Sequence, residues 1–245
     1  MATTGASKLK ALYTHLAPGT PLTSEDLAVL GISADLAVHY VRAGWLARLA
    51  RGIYCRPNDP PALHPSLLLL QRRFEGLHVG GKSALDWYGV RQYVAQKPVL
   101  HLYGWRAGRL PEWFTKRFPS EYHRKRLFDE QLDTLLHVGP FEQRSGAPRV
   151  SAPERALLEL LSEVGVRQSL QEARELVESA YSLRVDVLRT LLQHCTSIKT
   201  VRLCLTLGRE GSLPWAAKLD AATLPIGSDR PWVSRSADGL LVLKP

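Results

Sequence analysis

Gly76-Leu77-His78-Val79-Gly80-Gly81-Lys82-Ser83 matches the phosphate-loop pattern GxxxxGK[ST] letter for letter. In such a loop backbone N–H groups wrap a phosphate, the lysine reaches its outer oxygens and the hydroxyl holds magnesium. That chemistry needs a strand running into the first glycine. Here Leu70-Gln71-Arg72-Arg73-Phe74-Glu75 precedes Gly76 and reads as the end of a helix, and Leu77-His78-Val79 reads as a strand inside the would-be loop. No convincing apolar strand ends in a magnesium-binding aspartate. The favoured reading is a Gly-Gly turn opening a helix near Lys82; the alternative is a nucleotide-binding enzyme using Gly81, Lys82 and Ser83.

Other catalytic patterns are missing from the sequence. The eight histidines form no HExxH or HxH, and no GxSxG elbow occurs. Glu154 and Glu159 lie beside Arg155 on a helical pattern and read as a capped, solvated face. The three cysteines, Cys55, Cys195 and Cys204, form no CxxC pair and cannot make a disulfide framework, which favours a reducing compartment, the cytoplasm. His194-Cys195 on a predicted helix reads as buried. No enzyme activity, no cofactor and no metal site is expected.

Charge points elsewhere. The 245 residues carry 32 Lys+Arg against 23 Asp+Glu, a net +9, which favours a polyanionic partner. The excess is +3 in residues 1–57, +5 in 58–150 and +1 in 151–245. One dense stretch, 105–126, holds Arg106, Arg109, Lys116, Arg117, Arg124, Lys125 and Arg126, interleaved with Trp105, Trp113, Phe114, Phe118 and Tyr122. It suits phosphate contacts with base stacking. It equally fits a solvated β-region whose aromatics turn into the core.

The elements that position these residues begin with three helices and a hairpin in 1–57. Leu9, Leu12, Tyr13 and Leu16 share a helical face, ended by Pro18-Gly19. Thr23 and Asp26 have capping-box spacing, and Leu22 can staple to Leu27. Ser33 starts a third helix ending at Gly44, and two short strands flank the Arg51-Gly52 turn. This order is that of a winged helix-turn-helix, whose third helix enters a DNA major groove. Projection at 100° per residue puts Leu36, Tyr40 and Ala43 inside and Asp35, Val38 and Arg42 outside, with His39 at the edge. The candidate DNA-binding residues are therefore Ser33, Asp35, Val38, His39 and Arg42 on the helix and Arg48 and Arg51 on the wing. A module used only for protein contacts is the competing reading.

Asn58-Asp59-Pro60-Pro61 and Pro65 mark a linker over 58–65. Residues 66–245 read as an α+β domain with a softer boundary near 143–150. Helices are expected over 65–74, 81–88, 153–164, 169–181, 185–194 and 198–207, and a short one opens at Pro214-Trp215. Strands are expected at 78–79, 99–103 and 132–138, and a terminal hairpin turns around Asp238-Gly239. No run of apolar residues reaches membrane-spanning length.

Six segments of the chain resemble one family. Leu27-Ala28-Val29-Leu30-Gly31-Ile32-Ser33, Tyr40-Val41-Arg42-Ala43-Gly44-Trp45-Leu46 and Arg51-Gly52-Ile53-Tyr54 resemble the N-terminal winged helix of the AbiEi antitoxins. The Val79–Val90 block, with its Ser83-Ala84-Leu85, resembles the segment that follows it. Ser151-Ala152-Pro153-Glu154-Arg155-Ala156-Leu157-Leu158-Glu159 resembles a helix of the C-terminal domain, and Val201-Arg202-Leu203 through Pro214-Trp215 also fits. AbiEi proteins are the repressor halves of AbiE abortive-infection, type IV toxin–antitoxin systems. The resemblance implies a bacterial phage-defence protein encoded beside a nucleotidyltransferase-like toxin. Its N-terminal domain would bind inverted repeats in the operon's own promoter and repress it. The C-terminal domain would carry the antitoxin function and assist cooperative binding, with the toxin a functional partner that need not be a physical one. An antitoxin that sequesters its toxin directly is the alternative, and the oligomeric state, including a monomer binding cooperatively, stays open.

Overall fold

The computed structural model describes residues 5–90, 98–133, 135–236 and 239–243. Its first unit is α1 (Gly5–His15), β1 (Leu22–Thr23), α2 (Ser24–Val29), α3 (Ala34–Arg42), β2 (Ala47–Ala50) and β3 (Ile53–Cys55). The three strands form an antiparallel sheet in the order β1-β3-β2. Thr23 and Asp26 close the expected capping box around the start of α2. Leu12, Leu16, Leu27, Ile32, Ala37, Tyr40, Leu46 and Tyr54 form a small core, with Leu22 packed against it.

The segment after β3 is tied down on both sides. Gly19 donates to Asp59 at 2.9 Å, and the Ala62 amide donates to the Gly19 carbonyl at 2.8 Å. Gly19 has φ +69, and a Cβ there would come within 2.8 Å of the Ala62 Cβ, so only glycine fits. The helix expected from residue 65 starts earlier, as α4 (Leu63–Arg73), with Pro65 in its first turn. There the missing N–H breaks no helical bond.

A five-stranded mixed sheet follows, built from β4 (His78–Val79), β5 (Leu100–Gly104), β6 (Ser120–Arg124), β7 (Val138–Pro140) and β8 (Arg149–Ser151) in the order β6-β5-β4-β8-β7. Strands β5 and β6 run parallel, so the chain between them crosses over, through α6 (Glu112–Thr115). The strand expected over 132–138 survives only as its last residue. Asp133 accepts from the Leu135 amide and His137 sits at φ +59, which makes turns where strand was read. α5 (Gly81–Trp87) packs against β5 and against α7 (Pro153–Ser162). Nine of the ten residues of α7 are buried, because α5, α8 (Leu170–Ser179), α9 (Val185–Gln193) and α10 (Ile198–Glu210) surround it. Two 3-10 turns, Ala216–Lys218 and Ala221–Thr223, lead to the antiparallel hairpin β9 (Trp232–Ser236) and β10 (Gly239–Leu243). Among the described residues no helix is long and apolar enough to cross a membrane.

Candidate nucleic-acid interface

The sequence of α3 fixes which of its faces is free. Ala37 and Tyr40 are buried, Leu36 and Val41 are half-buried, and Asp35, Val38, His39 and Arg42 are exposed. The Ser33 hydroxyl accepts from the Leu36 amide at 3.3 Å, so its role in the structure is to start the helix. Ala43, read as inward, is exposed: the helix ends at Arg42, and the chain turns away through Gly44 at φ +75. Trp45 follows directly and is 50% exposed. The Trp45 carbonyl accepts from the Tyr13 hydroxyl at 2.7 Å. Trp45 is not among the residues the sequence offers for DNA contact; a tryptophan just past a helix-ending glycine is the signal that marks it.

The wing is short and braced. A register shift between Arg48 and Ala50 turns Leu49 out of the ladder. Leu49, Ala50 and Ile53 join the large core of the second unit, while Tyr54 joins the small one. Its tip is pinned as well, since the Ser24 amide donates to the Gly52 carbonyl at 3.0 Å. Arg48 and Arg51 remain exposed. Behind the wing, Arg72 on α4 makes a two-toothed pair with Asp26, at 3.1 and 2.9 Å. Burial alone would raise the Asp26 carboxyl, but the bonds from Arg72 and Thr23 hold it below the usual range.

The basic stretch divides by chemistry. Phe114 is fully buried; Trp113, Phe118 and Tyr122 pack against the large core. The Trp105 ring covers Gly76, where a Cβ would lie 2.3 Å from ring carbons. The aromatics therefore serve packing. Of the basic residues, Arg106 pairs with Glu75 at 2.6 Å and Lys116 with Glu112 at 2.7 Å. Arg117 donates to the Pro61 carbonyl at 2.5 Å, and Lys125 pairs with Glu163 at 2.7 Å. Arg124 makes a long bond to the Trp105 carbonyl, 3.4 Å, and Arg109 and Arg126 are exposed.

The phosphate-loop match resolves into a different use of the same residues. Gly80 and Gly81 lead into α5, and the Gly81 amide donates to Glu159 Oε2 at 3.1 Å. A Cβ on Gly80 would lie 2.3 Å from that oxygen. The chain's own carboxylate thus occupies the place a phosphate would take. Lys82 pairs with Glu172, and Ser83 Oγ accepts from the His101 amide at 2.8 Å. Both side chains are engaged within the chain.

Glu159 also overturns the reading of its helix face as solvated. Glu154, Arg155 and Glu159 are each at most 3% exposed. Glu159 lies 2.9 Å from His78 Nε2 and accepts from Ser151 Oγ at 2.9 Å and from Arg155 Nε at 3.0 Å. Burial would raise its carboxyl, yet His78 and Arg155 hold it down at about 2. Glu154 is matched by a two-toothed Arg184, at 3.0 and 2.9 Å. These charges are structural, since each is fully engaged inside the protein.

Two family models cover these two units. Residues 5–96 match the N-terminal domain of the AbiEi antitoxin transcriptional regulators. Residues 97–244 match the model described as transcriptional regulator, AbiEi antitoxin, type IV TA system. Among solved structures, the chain is similar to the RV2827C protein from Mycobacterium tuberculosis. The identity is 18%, covering 96% of this chain and 90% of that one, with a TM-score of 0.56. That likeness concerns the fold. A search of the curated proteins finds no match. With both models matched in order along the chain, this protein belongs to the AbiEi antitoxin family of type IV toxin–antitoxin transcriptional regulators.

Proposed function

We propose that this regulator binds inverted repeats in the promoter of its own operon and represses it, while counteracting a nucleotidyltransferase-like toxin in the bacterial cytoplasm. The observation that carries the reading is α3. Its inner face is spent on the small core, and its outer face presents Asp35, Val38, His39 and Arg42 with no covering element among the described residues. In this reading Arg42 contacts a guanine or a phosphate and Asp35 accepts from a cytosine amine. Arg48 and Arg51 hold backbone phosphates, and Trp45 extends the contact past the helix end. Arg109, Arg124 and Arg126 add sequence-independent attraction from the second unit.

The test is fluorescence anisotropy of the full chain on its own upstream DNA, with a scrambled duplex as control, at two salt concentrations. Tight, salt-sensitive binding that prefers the upstream duplex is expected. Equal, weak binding to both would reduce the +9 charge to general attraction and refute the repressor reading.

A further inference from the structure

The parallel pairing of β5 with β6 sets His101 beside Glu121 and Tyr103 beside His123. Alternate residues of a strand share a face, so His101, Glu121 and His123 project on the same side of the sheet. His101 Nδ1 and His123 Nε2 are 3.0 Å apart, and Glu121 Oε2 lies 4.0 Å from His123 Nε2. All three donor atoms fall within 4.8 Å of one another.

We propose that His101, His123 and Glu121 bind a divalent first-row metal ion of the zinc class, leaving its fourth position to water. Two imidazoles and one carboxylate are a donor set that Zn²⁺ accepts, with ligand bonds of about 2.0–2.2 Å and tetrahedral geometry. Such bonds place neighbouring donor atoms roughly 3.3 Å apart. The two histidines need open by only a few tenths of an ångström, and Glu121, 50% exposed, is free to swing in. His123 is 2% exposed and held from behind, its Nδ1 lying 3.5 Å from Glu163 Oε2 and 3.2 Å from Arg167 NH1. A metal on Nε2 would place the ring proton on Nδ1, where Glu163 can accept it, the carboxylate–histidine–metal arrangement that orients metal-binding imidazoles. Arg167, half exposed, then keeps its own pair with Glu163, now 3.8 Å.

The position gives the ion a structural consequence. β6 is an edge strand, and the segment between β5 and β6 carries Arg106, Arg109, Lys116 and Arg117. A metal joining the two strands would fix both ends of that basic crossover.

The experiment uses the full, untagged chain after chelator treatment, titrated with Co²⁺ and followed by its visible d–d bands, then with Zn²⁺ in competition. The expected result is one Co²⁺ per chain with the strong bands of a tetrahedral site, displaced by Zn²⁺, and a melting temperature raised by Zn²⁺. H101A should abolish the bands. E121Q, at an exposed position that leaves folding intact, should weaken Co²⁺ binding by more than the roughly 10–100-fold typical of losing an outer-shell partner. No tetrahedral bands in the parent chain, or bands that persist unchanged in H101A and E121Q with native circular dichroism, would overturn the proposal.

Discussion

Glu159 is where the energetics of single residues concentrate. An ionised carboxylate in an apolar interior is stable only because His78, Ser151, Arg155 and the Gly81 amide surround it. Its carboxyl falls from 4.5 to about 2 on folding, so the folded state binds its proton more weakly than the unfolded chain. Stability from this group is complete above about pH 4.5 and is lost as pH falls towards 2, about 3 kcal/mol in all. E159Q should therefore flatten the dependence of urea-unfolding free energy on pH between 4.5 and 2, and lower stability at pH 7. An unchanged slope would show that another carboxylate governs acid unfolding. None of this was legible in the sequence: Glu154-Arg155-Ala156-Leu157-Leu158-Glu159 has the look of an amphipathic helix, and only packing on all sides reveals it as buried. The His101–Glu121–His123 grouping was equally invisible. His101 lies about twenty residues before Glu121 and His123 and meets them only through strand pairing.

At the scale of elements, local signals served well where the chemistry is local. The Thr23–Asp26 box, the Ser33 cap and the Gly44 stop all depend on neighbours within four residues, and all three appear in the structure. T23A should cost about 1 kcal/mol, measured by chemical denaturation, because it leaves the Asp26 amide without its acceptor. Strands β6 and β8 carried no such signal. Ser120-Glu121-Tyr122-His123-Arg124 has no apolar alternation, and β8 is three residues long; each is a strand because of its neighbour. For α3 and the wing, different losses are expected from different arginines. R42A should weaken operator binding by about 1–3 kcal/mol and relax its sequence preference, as loss of a base contact does. R48A and R51A should weaken binding to operator and scrambled duplexes alike, each lowering the salt slope by about 1. Anisotropy across a salt series separates the two patterns, and a triple variant that binds operator normally would refute the assignment of this face.

At the scale of the molecule, the structure joins what the proline-rich segment seemed to divide. Asn58 to Pro61 reads as a linker because two prolines exclude helix and inner strand. Yet Asp59 and Ala62 bond to Gly19, Arg117 bonds to Pro61, and Arg72 pairs with Asp26 across the same junction. Above all, Ile53 is 3% exposed because it belongs to the large core, with Leu49 and Ala50 packed beside it. A winged helix whose wing rests its apolar side on the second unit is held in one orientation by that unit. It also depends on it, since cutting after residue 57 would expose Ile53 and its neighbours and leave a core of eight buried residues. Chains of this length bury a smaller share of their surface than larger domains do and are only marginally stable. The 1–57 fragment should therefore show weaker helical circular dichroism per residue and an earlier, broader melt than the same region in the intact chain. I53A in the full chain should cost roughly 2–5 kcal/mol, the range for emptying a filled core site. It should also loosen operator binding through the wing while leaving α3 unaltered. A fragment that melts sharply and binds operator as tightly as the whole protein would show that the contact is incidental. The second unit would then have no part in presenting α3 to DNA.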